Sequence, residues 1–132
     1  MKRGALVAIT GGCHDCHSSG YAESGGKIDP ATALKGAAVG YQGPWGTTYP
    51  SNLRILAEKL SEKDFVHLAK TFQARPPMPW FNVNAMEESD VRSLYLYIAS
   101  LGEPGDPAPD YVPPGQEPKT PYIVFAPPQM PK

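Results

Sequence analysis

A chain of 132 residues accommodates one domain. Its 12 Lys and Arg against 13 Asp and Glu leave a net charge of −1, which excludes the basic footprint a nucleic-acid binder needs. No apolar run reaches the roughly 18 residues that cross a bilayer as a helix.

Residues 2–10 carry Leu6, Val7 and Ile9 among small residues and run into Gly11-Gly12, which predicts a short first helix closed by a glycine cap. The opening stretch is too short and too polar for a signal peptide. Residues 18–50 are rich in glycine and keep no sustained helical or alternating pattern, so a long functional loop is expected. Ser51 and Asn52 can cap a helix through Leu60, with Leu53, Leu56, Ala57 and Leu60 spaced by threes and fours. Ser61-Glu62-Lys63-Asp64 resembles a capping box ahead of a stripe of Phe65, Leu68, Ala69 and Phe72.

The three prolines of Arg75-Pro76-Pro77-Met78-Pro79-Trp80 remove amide donors and fix φ, so Met78 is expected on a stiff extended segment. Asn84 with Glu87 suits a cap, and Val91, Leu94, Tyr95, Ile98 and Leu101 repeat on one face of a last helix stopped by Gly102. Ten of the sixteen prolines fall after it. Residues 103–132 therefore read as an extended tail, with Tyr111, Tyr122, Ile123, Val124 and Phe125 as anchors that wrap it over the domain. No internal repeat is visible.

The chemistry concentrates at Cys13-His14-Asp15-Cys16-His17, which holds both thiols of the chain. A disulfide there would close a tiny loop and stabilise little. A closed zinc site needs four ligands, and only His14 and His67 remain to complete one; a thioredoxin-like pair needs a βαβ context that is missing. C-x-x-C-H is the pattern of covalent haem attachment: two thiols reach two vinyl groups on one porphyrin edge, and the following histidine supplies a neutral imidazole to the iron. His14 then reads as a spacer, and His67 as a surface or core residue.

A second iron ligand is sought among four methionines. Met1 is terminal, Met130 lies in the tail and Met86 opens the last helix, where packing is the commoner use, so Met78 is preferred with Met86 next. A ligating histidine orients its ring by donating its other N–H. The Gly43-Pro44-Trp45-Gly46 segment either presents the Pro44 carbonyl for this or is a plain turn. Trp45, Thr47, Thr48, Tyr49 and Asn52 are candidate donors to haem propionates, and Trp80 with Phe81 are candidate pocket walls. Lys27, Lys35, Lys59, Lys63 and Lys70 either form a solvated face or help to dock an acidic redox partner.

In this order of features, residues 3–102 resemble the class I cytochrome c family. Gly43-Pro44-Trp45-Gly46-Thr47-Thr48-Tyr49 through Asn52, and Pro77-Met78-Pro79-Trp80, resemble the bacterial branch related to cytochrome subunits of periplasmic alcohol and gluconate dehydrogenases. That branch commonly continues after Asn52 with Thr-Pro-Asp, where this chain has Leu53-Arg54-Ile55. The resemblance implies an all-α fold of about four short helices in residues 1–102, with residues 103–132 as a Pro-rich tail. It further implies one haem c bonded through Cys13 and Cys16 and a periplasmic electron carrier that has shed its leader. A dehydrogenase, an oxidase or another cytochrome would be its redox partner. A haem-based gas sensor with a dissociable Met78, and a subunit acting only inside a larger complex, are the rival readings.

Overall fold

The computed structural model describes residues 1–131. Among these residues six helices occur in chain order: α1 (Lys2–Thr10), α2 (Cys13–His17), α3 (Leu53–Lys59), α4 (Glu62–Thr71), α5 (Trp80–Asn84) and α6 (Glu88–Ser100). Three strands accompany them, β1 (Gly40–Gly43), β2 (Gly46–Thr48) and β3 (Tyr122–Val124). The domain is mostly helical, but the expected all-α architecture of about four helices needs correction on both counts. β1 lies central in a sheet of order β2-β1-β3, antiparallel to β2 with Tyr41 opposite Thr48 and parallel to β3 with Tyr41 opposite Ile123. The hairpin falls inside the expected loop because β1 is four residues with glycine at both ends, too short to show a period, and its second neighbour arrives from the tail.

The helices bury one core, in which Val7 and Ala8 of α1 meet Val91, Leu94 and Ile98 of α6, with Ala57 of α3 and Phe65, Val66 and Ala69 of α4 against them. α1 and α6 approach so closely at Gly4 that a Cβ there would overlap the Ser93 carbonyl and stand 2.8 Å from Tyr97 Cβ. A glycine costs helix propensity at this position, and the close crossing is what it makes possible.

Most helix ends follow the sequence. Asn52 Oδ1 accepts from the amides of Arg54 (3.0 Å) and Ile55 (3.3 Å), and Ser61 Oγ accepts from Asp64 N–H (3.1 Å). At the end of α1 the left-handed glycine is Gly12 (φ 75°), while Gly11 keeps helical angles. Asn84 does not cap α6; its amide donates to the Ala69 carbonyl (2.8 Å) and ties α5 to α4.

Residues 104–125 lie along the domain. The Pro104 and Asp106 carbonyls accept from Asn52 Nδ2, Val112 exchanges backbone bonds with Thr47, and β3 completes the sheet.

Candidate functional site

α2 is one helical turn, and it presents Cys13, Cys16 and His17 together. Both thiols are free and partly buried. Burial pushes the Cys13 thiol up to about 11. His17 is buried, and its Nδ1 donates to the Ser51 carbonyl oxygen at 2.8 Å. A carbonyl can only accept, so Nδ1 carries the proton and the lone pair stands on Nε2. Burial lowers the His17 pKa against the opposing effect of the Ser51 bond, which keeps the ring neutral. A neutral imidazole of fixed tautomer beside two unpaired thiols is the donor set that a covalently attached haem requires. Among the described residues no group of three or more His, Cys, Asp and Glu side chains converges as a metal cluster.

The acceptor for His17 is therefore Ser51, and the Pro44 alternative is corrected. Pro44 is exposed at the tip of the β1–β2 turn, whereas Ser51 sits at the entrance of α3, whose cap at Asn52 fixes the backbone there. His17 is also held by its own carbonyl, which accepts from Gly36 N–H at 2.8 Å.

Comparison with models of known families matches the cytochrome c model over residues 1–102. The chain belongs to the cytochrome c family. No curated protein and no solved structure matched it. This cytochrome carries haem c covalently through Cys13 and Cys16 and serves electron transport.

The remaining candidates are dispersed over several tasks. Trp45 Nε1 donates to the Tyr41 carbonyl (3.1 Å), which leaves the indole no second donor. Thr47 is buried, with its hydroxyl near the Gln42 amide (3.4 Å). Thr48 Oγ1 donates to the Pro76 carbonyl (2.8 Å), and the Tyr49 hydroxyl pairs with Thr120 Oγ1 (2.6 Å). Asn52 uses its oxygen as the α3 cap and its amide on the tail. Trp80 opens α5, half-buried and edge-on to an exposed Phe81 at 5.5 Å. Met78 is half-buried in the turn before α5, its amide donating to the Arg75 carbonyl. Met86 packs against the core, its Cε 3.0 Å from where a Cβ on Gly11 would stand.

Three groups escaped the sequence reading. His14 of this cytochrome is no mere spacer: it is fully buried, stacked on Tyr21 at 5.1 Å, with Nδ1 2.8 Å from Ser18 Oγ and Nε2 without a hydrogen-bond partner among the described residues. Arg54 is buried and among the described residues its guanidinium binds carbonyls, those of Ala33 (2.8 Å), Leu101 (2.9 Å), Glu103 (3.2 Å) and Pro30. Its one sequence signal is its place three residues before Ala57 on the inward face of α3. Tyr41 stands beside Cys16, and burial first, then that neighbour, pushes its phenol up to about 12.

Proposed function

We propose that this cytochrome is a single-electron carrier of the class I type in which His17 and Met78 are the two axial ligands of the iron. The observation that carries the reading is the His17–Ser51 hydrogen bond, which fixes a neutral imidazole with Nε2 as its free donor inside the thiol-bearing turn. Met78 is supported by its surroundings: Pro77 and Pro79 stiffen the backbone on both sides, and Thr48 holds the Pro76 carbonyl. Met86 is occupied in packing, and Met1 and Met130 are largely exposed.

The bound haem supplies a one-electron couple between ferrous and ferric iron. The chain's part is to keep both ligands in place in either state, so that little rearranges when the charge changes. His17 does this through Ser51, and Met78 through its pinned turn. Redox partners would be a dehydrogenase, an oxidase or another cytochrome, met on the periplasmic side. No helix among the described residues is long and apolar enough to cross a membrane.

The test is spectroscopic. The matured protein should weigh one haem more than its polypeptide, and its ferric form should show the near-infrared charge-transfer band of a sulfur ligand. Met78→Ala should abolish that band and lower the reduction potential, with Met86→Leu as the control that keeps both. Carbon monoxide should leave the reduced spectrum nearly unchanged; complete conversion would favour a gas-binding protein and defeat the carrier reading.

A further inference from the structure

The family match ends at residue 102, yet the segment beyond it reaches the turn that bears Met78. The Arg75 guanidinium lies over the Tyr111 ring, 3.7 Å from its centroid. The Tyr111 hydroxyl in turn donates to the Trp45 carbonyl at 2.7 Å, and the next residue, Val112, pairs with Thr47 through amides of 2.8 and 2.9 Å. The fit at that point is close: Gly46, at φ 105°, has no room for a Cβ, which would meet the Val112 carbonyl and come within 3.0 Å of the Tyr111 ring. On the other side, Arg75 and Met78 share one turn, because the Met78 amide donates to the Arg75 carbonyl at 3.3 Å. The Met78 turn is thus fastened twice, by Thr48 to Pro76 and by Tyr111 to Arg75, and the second fastening comes from outside the matched region.

We propose that Arg75 and Tyr111 are positioning residues through which the segment after residue 102 holds the Met78 turn closed, so that external ligands compete poorly for the sulfur's place on the iron. The inference rests on Met78 being that ligand. A cation over an aromatic face contributes a factor of about 2 to 30 to such a closing equilibrium, depending on how dry the contact is.

Imidazole titration of the ferric, haem-loaded full-length protein tests it, with the near-infrared sulfur band and amide exchange at Met78 followed in the same samples. Tyr111→Leu and Arg75→Gln should each raise imidazole affinity by about 2- to 30-fold and speed Met78 amide exchange, while the band persists without imidazole. Tyr111→Phe, which keeps the ring, should restore most of the wild-type affinity. Arg75 is exposed, so its variant reports even where the Tyr111→Leu chain is too unstable to purify. Unchanged imidazole affinity in Arg75→Gln, with the band present in wild type, overturns the strap and spares Met78. A wild-type protein without the band overturns the ligand reading and this inference together.

Discussion

His17 Nδ1 and the Ser51 carbonyl oxygen lie 2.8 Å apart, joining the thiol-bearing turn to the entrance of α3 across 34 residues of chain. The two ends are held separately. Gly36 N–H binds the His17 carbonyl from the loop, and Arg54 clamps the start of α3 to the Ala33 and Leu101 carbonyls. The orientation of the imidazole therefore depends on residues that never touch it.

Arg54→Met should destabilise the protein by about 3 kcal/mol or more, because several carbonyls lose a charged donor in a buried place. Arg54→Lys should recover only part, since an ammonium cannot span the directions that a guanidinium fork reaches. Urea unfolding of the haem-loaded protein measures both, and wild-type stability in the Met variant would sink the argument.

At the helix crossing, Gly4→Ala pits two effects against each other. Helix propensity gains about 1 kcal/mol, but the new methyl must displace the Ser93 carbonyl and Tyr97, which costs about 1 to 3 kcal/mol in overpacking and more where backbone must move. A lower thermal midpoint is expected, with Gly4→Val lower still; a midpoint above wild type would count against the close approach.

The burial of His14 makes stability depend on pH. Burial lowers its pKa, with Asp15 opposing, so the folded state holds the ring neutral while the unfolded chain takes a proton near pH 6.5. The contribution is present above that value and is lost as pH falls below it. Urea midpoints should decline between about pH 7 and 5, and His14→Phe, which keeps the ring on Tyr21, should decline less. Parallel curves for the two proteins would refute this.

Much of the helical frame was legible in the sequence. The stripes on α4 and α6 and the caps Asn52 and Ser61 are local signals, because helix period and capping bonds act within a few residues. The hairpin was not, since β1 is flanked by a strand some eighty residues away and carries little propensity of its own. Asn84 misled for the same reason: a good capping residue was taken instead by the end of α4.

For the site, the cysteine pair of the C-x-x-C-H pattern was enough by itself to mark where haem c is attached, because two thioether bonds made within one turn of chain need no distant help. Tertiary structure alone decided that Ser51 rather than Pro44 accepts the His17 Nδ1–H hydrogen bond, that Arg54 is buried among carbonyls, and that Tyr111 reaches the turn of Met78. A backbone carbonyl is present at every residue, and only the folded chain selects which one lies within 2.8 Å of a given nitrogen.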